Sequence, residues 1–366
     1  MPERTHLGRT SMTTEERKRY KTTLEKHQLQ TISPPTVGSG EFQYRPIPQW
    51  ETIPKDWSFI DVAGVAVDSQ NRLFVFNRGA HPLVVFDRDG DLVDSWDESH
   101  FTRPHGIHIG PDDMVYITDD EDHTVRKYSP KGELMMTLGT GSPSVTGMRD
   151  FDYRQITHGG DPFNYPTNIA LAPNGSIYVA DGYGNARVHK FSAEGELQLS
   201  WGGPGDGHGE FNLPHGIALD SKGLVYVADR ENSRIQIFSP EGHFINQWTH
   251  VSRPMQVFID PDDNVFVVEV GRKAGLFPWM ESGSNPTGGR LSVLTTDGEV
   301  IARWGNGDNP GTPGDFFAPH DICVDSEGSI YVGEVVWSAG VQDDISGNPL
   351  SIVPPNCPTL HKYVRI

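Results

Sequence analysis

Three histidines stand in the same short motif at nearly equal distances along the chain. The tripeptide Pro-His-Gly or Pro-His-Asp occurs at His105, His215 and His320, which lie 110 and 105 residues apart. Imidazole is the commonest metal ligand among protein side chains. Three histidine ligands that leave a fourth position open are typical of a catalytic zinc ion. The motif therefore predicts a zinc site, provided that the fold brings the three copies together.

A repeat in the sequence supplies the elements that could position them. Its clearest copy, residues 214–248, reads PHGIALDSKGLVYVADRENSRIQIFSPEGHFINQW, which is four short strands joined by polar turns. The first turn recurs six times along the chain, as DSQNRL, GPDDMV, APNGSI, DSKGLV, DPDDNV and DSEGSI. Runs of four short strands at this period predict an all-β fold, a six-bladed β-propeller, and the repeat resembles the NHL type.

The predicted blades also indicate how the ring closes. They cover residues 62–96, 104–139, 166–202, 214–248, 254–304 and 319–366. The sixth blade ends at HKYVRI and lacks a fourth strand. We expect the segment 41–50, which ends in Trp50 as other fourth strands end in tryptophan, to complete it. Joining the two ends of the chain in one blade removes an open sheet edge.

The remaining composition bounds the domains and the partners. We predict a polar N-terminal arm over 1–40, with a helix or disorder at 13–30, and the propeller over 41–366. The net charge of −19 argues against nucleic acid or an anionic membrane as a partner. The absence of an apolar leader or an 18-residue apolar run predicts a cytoplasmic protein. Whether Cys323 and Cys357 interact, and the oligomeric state, stay open.

The blade assignment brings the three histidines together. They open the first, innermost strand of blades two, four and six, and alternate blades of a six-fold ring are a third of a turn apart. The three side chains must therefore meet on the central axis. The equivalent positions of the other blades hold Ala63, Thr167 and Met255. This alternation argues against the other interpretation, in which histidine is only a consensus residue of the repeat.

Long connections and unusual side chains lie on the same face of the ring. The longest connections, 139–165, 271–290 and 335–360, all rise from that face, where long loops commonly form the walls of a binding site. Arg78, Tyr183 and Arg230 follow second strands and depart from the repeat. A guanidinium group matches a carboxylate, and a tyrosine hydroxyl near cations can act as a base. These residues predict a site for an anionic substrate.

Other charged residues on this face have a structural interpretation. Acids end the second strand of most blades, so we expect them to accept hydrogen bonds from turn N–H groups. They are Asp119, Asp181, Asp229, Glu269 and Glu334. Arg187 and Arg234 also occupy recurring positions of the repeat, which favours the same interpretation for them.

These motifs resemble the catalytic domain of the peptidyl-α-hydroxyglycine α-amidating lyase family. The resemblance covers about residues 60–366 and is carried, in order, by VAVDSQNRLFVFNRG, RPHGI, YVADGYGNAR, LPHGIAL, VADRENSRIQIF and APHDI. It implies that the three histidines hold Zn²⁺ and that Tyr183 is the catalytic base. It further implies that Arg78 binds the substrate carboxylate and that Arg230 lies beside Tyr183.

The resemblance also implies a structural Ca²⁺ bound by the Asp321 carboxylate and by the backbone carbonyls of Val65 and Ile107. Oxygen ligands of this kind suit calcium. The sequence departs from the family where disulfide cysteines are expected, at Gly184 and at Tyr226 and Ile237, which fits a reducing compartment. Ala318 replaces a methionine beside the third histidine, and we expect no attached monooxygenase domain. These departures argue against a peptide-hormone substrate.

The leading function is therefore a carbon–nitrogen lyase with a small, carboxylate-bearing substrate. It would cleave an N-substituted α-hydroxyglycine-like carbinolamide to an amide and glyoxylate or a related aldehyde. An alternative is a metal-dependent hydrolase, such as a lactonase, which would use the same ligands without Tyr183. A second alternative is a non-catalytic interaction scaffold, which leaves the alternate-blade histidines unexplained.

Overall fold

Short apolar strands and tight polar turns build the described residues into six antiparallel blades. The computed structural model describes residues 35–96, 101–272, 287–343, 349–351 and 357–366. In each blade, the turn between the first and second strands is closed by a side chain of its own, which is an aspartate in five blades and Asn174 in blade three. Asp220 is an example, since its Oδ1 accepts the N–H groups of Lys222 and Leu224. Gly223 in this turn has φ +80°, a conformation that glycine adopts without strain.

Five blades have the predicted order of four neighbouring strands. Blade one contains β3 (Val62–Val67), β4 (Leu73–Asn77), β5 (Leu83–Phe86) and β6 (Leu92–Trp96). Blade two contains β7 (Pro104–Ile109), β8 (Val115–Asp119), β9 (Thr124–Tyr128) and β10 (Leu134–Leu138). Blade three contains β11 (Asn168–Leu171), β12 (Ile177–Asp181), β13 (Arg187–Phe191) and β14 (Leu197–Trp201). Blade four contains β15 (Pro214–Leu219), β16 (Val225–Asp229), β17 (Arg234–Phe238) and β18 (Phe244–Trp248). Blade five contains β19 (Pro254–Ile259), β20 (Val265–Glu269), β21 (Arg290–Leu294) and β22 (Val300–Trp304).

The sixth blade joins both ends of the described chain. Its strands, from the axis outward, are β23 (Pro319–Val324), β24 (Ile330–Glu334), β27 (Leu360–Arg365), β2 (Phe42–Pro46) and β1 (Val37–Ser39). Strand β2 pairs antiparallel with β27, with Tyr44 opposite Arg365 and Pro46 opposite Tyr363. The predicted six-bladed propeller and its closure by an N-terminal strand are therefore confirmed. Strand β1 adds a fifth strand from within the predicted N-terminal arm, of which residues 1–34 lie outside the described range.

The prediction that Trp50 ends the closing strand is wrong. The strand ends at Pro46, and the N–H of Ile47 makes one more bond, to the carbonyl oxygen of Lys362 at 2.8 Å. Pro48, which has no N–H group to donate, follows. Trp50 instead packs against Phe86 of blade one, with ring centroids 5.8 Å apart, and against Tyr331 of blade six at 5.4 Å. It therefore fills the joint between the first and last blades.

The core lies between the blades. The second strand of each blade is buried along its whole length, so both of its faces pack against neighbouring strands and blades. Aromatic side chains bridge neighbouring blades, as where Trp96 packs against Tyr128 with ring centroids 5.4 Å apart. This packing makes the ring a rigid frame, in which the innermost strands hold a fixed position on the axis.

The long connections carry the remaining elements. A 3-10 helix, Tyr153–Gln155, lies between blades two and three, and a short helix α1, Val336–Gly340, follows the second strand of blade six. Strands β25 (Val341–Asp343) and β26 (Pro349–Ser351) pair with each other after α1. Both cysteines are free. Among the described residues, no helix has the length and apolar character needed to cross a membrane.

Candidate active site

Each of the three motif histidines is oriented by a backbone carbonyl of the next blade. Its Nδ1 lies within hydrogen-bond distance of the carbonyl oxygen at the equivalent, non-histidine position. The pairs are His105 with Thr167 (2.7 Å), His215 with Met255 (2.8 Å) and His320 with Ala63 (2.7 Å). A carbonyl oxygen can only accept, so each Nδ1 carries the proton and each Nε2 presents a free lone pair.

Glycine after the histidine permits this close approach of the blades. A Cβ at Gly106 would lie 2.5 Å from the carbonyl oxygen of Thr167, and one at Gly216 would lie 2.6 Å from that of Met255. Both distances are shorter than carbon–oxygen contact allows. The Pro-His-Gly motif therefore places an imidazole and removes the side chain that would push the accepting carbonyl away. In blade six, Asp321 takes the position of the glycine.

The three imidazoles converge on the axis, as the alternate-blade spacing predicted. Their ring centroids form a triangle with sides of 4.7, 4.7 and 4.8 Å, and one ring nitrogen from each lies within 4.8 Å of the others. Burial and neighbouring charges hold the pKa of all three well below the usual value, which keeps the rings neutral. Nε2 of His320 is buried and has no hydrogen-bond partner among the described residues. Neutral, convergent imidazoles with unused lone pairs fit a zinc ion.

Tyr183 lies over this triangle. Its hydroxyl oxygen is 3.3 Å from Nε2 of His105 and 3.2 Å from Nε2 of His215. The preceding residue, Gly182, packs so tightly that a Cβ there would lie 1.8 Å from the carbonyl oxygen of Pro214. The glycine thus lets the loop lean against blade four, which directs the tyrosine toward the axis.

Arg78 is held beside the histidines with one nitrogen unused. Its Nε donates to the carbonyl oxygen of Pro104 at 3.0 Å, and its Nη1 donates to Oγ of Ser338 at 2.8 Å. Asp61 lies 3.6 Å from Nη1 and also accepts the N–H of Trp337 on helix α1. Nη2 is buried without a partner among the described residues. Since an unsatisfied buried donor is unfavourable, this nitrogen is suited to an anionic ligand.

Arg230 is positioned by a buried ion network that the sequence analysis missed. Its Nε lies 2.7 Å from Glu231, which also binds the fully buried Arg253 at 2.6 Å. Burial opposes ionisation of Glu231, but the two arginines outweigh it and lower the pKa of this carboxyl to about 2. The guanidinium carbon of Arg230 lies 5.5 Å from the centroid of the Tyr183 ring. Positive charge therefore lies beside the tyrosine, as predicted.

A second arginine, Arg103, was also missed, although it stands two residues before His105 in the RPHGI motif. Its guanidinium carbon lies 5.6 Å from the Tyr183 ring and 5.2 Å from the Phe151 ring. Its Nη1 lies 2.9 Å from Asp120. Burial raises the pKa of Asp120 to about 7, although Arg103 and Arg78 act in the opposite direction.

A cavity of about 160 Å³ joins these side chains. Arg78, Tyr183 and Arg230 line it together with His320, so the structure brings the predicted catalytic residues to one place. Residues of two long connections also line it, among them Tyr153 and Ala339. The third long connection is largely outside the described residues.

The residues predicted to bind calcium lie in the axial channel. Asp321 shares this channel with Val65 and Ile107. Its carboxylate is buried and accepts three neutral N–H groups, from Val65, Gln256 and Ile322, each at 2.9 Å. Burial raises the pKa of Asp321 to about 7. A carboxylate with neutral donors and spare lone pairs fits a cation that prefers oxygen ligands.

The recurring acids have the structural role that the sequence predicted for them. Asp119 accepts the N–H groups of Thr102 and Arg103, and Glu334 accepts those of Phe317 and Ala318. These contacts fix the loop that leads into the first strand of the same blade, and so fix the position of the histidine in blades two and six.

Comparison with known proteins agrees with this fold. The NHL repeat model matches residues 163–191 and 211–238. NHL repeat-containing protein 3 of Homo sapiens is 31% identical over 290 residues, which cover 74% of this chain and 76% of that protein. The chain belongs to the family of NHL-repeat propellers that includes the amidating lyases.

Two further members of this family carry the amidating activity in their names. Peptidylglycine alpha-amidating monooxygenase of Rattus norvegicus is 28% identical over 364 residues, covering 85% of this chain and 35% of that protein. Peptidyl-alpha-hydroxyglycine alpha-amidating lyase 1 of Drosophila melanogaster is 39% identical over 113 residues, covering 31% of this chain and 19% of that protein. The chain thus spans only a part of these relatives.

Solved structures share the propeller fold at low sequence identity. Virginiamycin B lyase from Staphylococcus aureus has a TM-score of 0.51 at 15% identity, over 84% of this chain and 96% of that one. A gluconolactonase from Xanthomonas campestris has a TM-score of 0.52 at 11% identity, over 91% and 98%. At this identity the likeness establishes the fold of this NHL-repeat propeller and no activity.

Proposed function

We propose that this protein is a zinc-dependent lyase that cleaves an N-acyl-α-hydroxyglycine to an amide and glyoxylate. The observation that carries the proposal is the position of the Tyr183 hydroxyl between the Nε2 atoms of His105 and His215, beside the unpaired Nη2 of Arg78. A general base, a carboxylate-binding group and the metal ligand His320 then line one small cavity, and the other two ligands contact the base. The names of the rat and fly relatives support the same chemistry.

The side chains of this chain divide the reaction between them. Nη2 of Arg78 would bind the substrate carboxylate and orient the bond between the central carbon and the amide nitrogen. The oxygen of Tyr183 would take the proton of the substrate hydroxyl. The carbon–oxygen bond would then become a carbonyl as the carbon–nitrogen bond breaks, and the proton would pass to the leaving nitrogen. The products are an amide and glyoxylate, which account for every atom of the substrate.

Positive charge close to the tyrosine favours this assignment. The guanidinium carbons of Arg103 and Arg230 lie 5.6 and 5.5 Å from the ring centroid, so both cations contact the ring that carries the proposed base. A zinc ion on the three histidines would supply Lewis acidity toward the substrate hydroxyl oxygen. The residues in the axial channel would hold a structural Ca²⁺, with Asp321 as its carboxylate ligand.

The hydrolase alternative uses the same three histidines as metal ligands, but Tyr183 has no catalytic role in it. A glyoxylate assay separates the two. Zinc-loaded protein supplied with N-benzoyl-α-hydroxyglycine should release glyoxylate and benzamide in equal amounts. Conversion of a lactone to its acid, with no glyoxylate from the carbinolamide, would replace the lyase by the hydrolase.

Arg78→Gln provides the variant for the same assay. Loss of the guanidinium should weaken substrate binding and misorient the reacting bond, so kcat/KM should fall by about 100-fold or more. Arg45→Gln is the matched control, because Arg45 is an exposed residue of strand β2, the fourth strand from the axis. Equal kcat/KM in the two variants would remove Arg78 from the mechanism.

A further inference from the structure

The cavity has one largely apolar arc. The residue after the second strand is Arg78 in blade one, Asp120 in blade two and Arg230 in blade four, whereas blades five and six place valine there, Val270 and Val335. Tyr183 and the loop between blades two and three lie opposite this arc in the ring. The charged side chains and Tyr183 therefore lie on blades one to four. The arc of blades five and six is apolar apart from His320 and Ser338, and Oγ of Ser338 is already bonded to Arg78 and Asp61.

The residues before the first strands reinforce this division. Arg103, Tyr165, Leu213 and Arg253 precede the proline that opens blades two to five. In blade six this position is Ala318, the smallest of the set, and it lines the cavity next to His320. The small side chain leaves room on the apolar arc, adjacent to the predicted metal ligands.

Five side chains form the surface of this arc. They are Met255 and Val270 from blade five, and Ala318, Val335 and Ala339 from blade six. We call this set the apolar wall. Every side chain on it is aliphatic or a thioether, so a group that lies against it loses water without finding a hydrogen-bond partner there. Such a surface selects an apolar group and rejects a peptide backbone, whose N–H and C=O groups would stay unsatisfied.

The size of the cavity sets a second limit. Its volume of about 160 Å³, as bounded by the described residues, is well below the roughly 300–1,000 Å³ of pockets that bury drug-sized ligands. An apolar cavity of about 150 Å³ is known to hold benzene. Phe151 and Tyr153 narrow the cavity on the side of the long loop, and the Phe151 ring lies 5.4 Å from that of Tyr183. A compact ring or branched chain can therefore lie wholly inside the cavity, whereas an extended peptide would have to leave through its open mouth.

We propose that the apolar wall is the subsite for the N-acyl group, and that the substrates are N-acyl-α-hydroxyglycines with a compact apolar acyl group, aromatic or branched aliphatic, rather than peptides. This rests on the proposed lyase function. The carboxylate lies on Arg78, the reacting carbon lies beneath Tyr183, and the acyl group extends from the nitrogen onto blades five and six. The wall then determines which amide the enzyme releases.

The test compares three substrates with the zinc-loaded full chain. They carry a benzoyl group, an acetyl group and a dipeptidyl group on the nitrogen of α-hydroxyglycine. Wild-type protein should turn over the benzoyl compound with a kcat/KM at least tenfold above that of either other compound. Of the three groups, only the benzoyl ring is both apolar and large enough to cover the apolar wall. A dipeptidyl compound that is turned over as well as the benzoyl compound would overturn the proposal.

The second part of the test uses a variant with a larger side chain on the apolar wall. In Ala318→Leu, the ratio of kcat/KM for the benzoyl compound over the acetyl compound should fall at least tenfold. The matched control is Ala193→Leu, which makes the same change at an exposed turn on the opposite face and should keep the wild-type ratio. Val335→Thr, which changes polarity at nearly constant volume, serves if Ala318→Leu does not fold, and should lower the same ratio. A ratio equal to wild type in a folded wall variant would contradict the proposal.

Binding of N-benzoylglycine, measured by titration calorimetry, separates this inference from the proposed reaction. If wild-type protein binds N-benzoylglycine but releases no glyoxylate from any carbinolamide, the lyase function fails. The wall is then judged by affinity alone. The proposed acyl subsite is supported if Ala318→Leu binds N-benzoylglycine at least tenfold more weakly than Ala193→Leu does. It is contradicted if the two variants bind N-benzoylglycine equally.

Discussion

The Tyr183→Phe variant probes the base most sharply. The change removes one oxygen atom and keeps the ring, which packs at 5.4 Å from Phe151 and faces Arg103 and Arg230. The lost oxygen lies 3.3 Å from Nε2 of His105 and 3.2 Å from Nε2 of His215. Both imidazoles keep the carbonyl contacts that orient them, so the metal site should survive.

The expected magnitude follows from the role of that oxygen. A positioned base contributes about 100- to 10,000-fold to a rate. Tyr183 is the cavity residue whose hydroxyl lies against the Nε2 atoms of His105 and His215. The arginines are donors only, Nε2 of each histidine is assigned to the metal, and Oγ of Ser338 is already bonded to Arg78 and Asp61. We therefore expect kcat to fall by roughly this factor, which corresponds to about 3–5 kcal/mol of transition-state stabilisation.

The assay is glyoxylate release at saturating substrate, with zinc content measured on the same sample. Tyr165→Phe is the matched control, because Tyr165 lies behind Phe151 with ring centroids 4.9 Å apart and does not line the cavity. Near-normal kcat in Tyr183→Phe, with zinc retained, would refute the assignment of Tyr183 as the base.

Three further predictions concern the frame around the site. Deleting residues 1–52 should expose the edge of β27 and give insoluble protein, whereas deleting 1–30 should be tolerated; a soluble protein that unfolds cooperatively without 1–52 would contradict the closure. Asp120 has a pKa of about 7 in the folded protein, against 3.8 for a free aspartate. Between these values the folded protein binds a proton that the unfolded chain has released, so the free energy of unfolding falls as the pH rises from 4 to 7. Asp120→Asn should therefore shrink the drop in the free energy of unfolding between pH 5 and pH 8 by roughly 1–4 kcal/mol, measured in urea, while the exposed Asp112→Asn should leave the drop unchanged. Asp321→Ala should lose bound calcium and lower Tm, and unchanged calcium content would remove that site.

Much of the fold could be predicted because the sequence repeats with each blade. The side chain of Asp220 closes its own turn, so a local signal such as DSKG is sufficient to mark a turn and, by repetition, a blade. The alternate-blade histidines then follow from symmetry alone. Trp50 could not be placed in this way, because its role depends on where Pro46 ends the pairing and not on its resemblance to other fourth strands.

The residues that form the walls of the cavity could not be predicted from sequence patterns, for a related reason. Phe151 and Tyr153 belong to a long connection without a repeat, and their place over Tyr183 depends on how that loop packs. Arg103 is part of the RPHGI motif, but its role could not be predicted from the motif. Its contact is with Asp120, which lies 17 positions away on the far side of two strands. The ion network of Arg230, Glu231 and Arg253 likewise becomes visible only when blades four and five are placed side by side.

The most direct test of the account is the metal content of the purified chain. Elemental analysis should find about one zinc ion per chain in the wild-type protein, and His105→Ala, His215→Ala and His320→Ala should each lose most of it. His158→Ala, at an exposed histidine outside the cluster, should retain it. Full zinc content in all three cluster variants would contradict the axial metal centre, and with it the reaction proposed here.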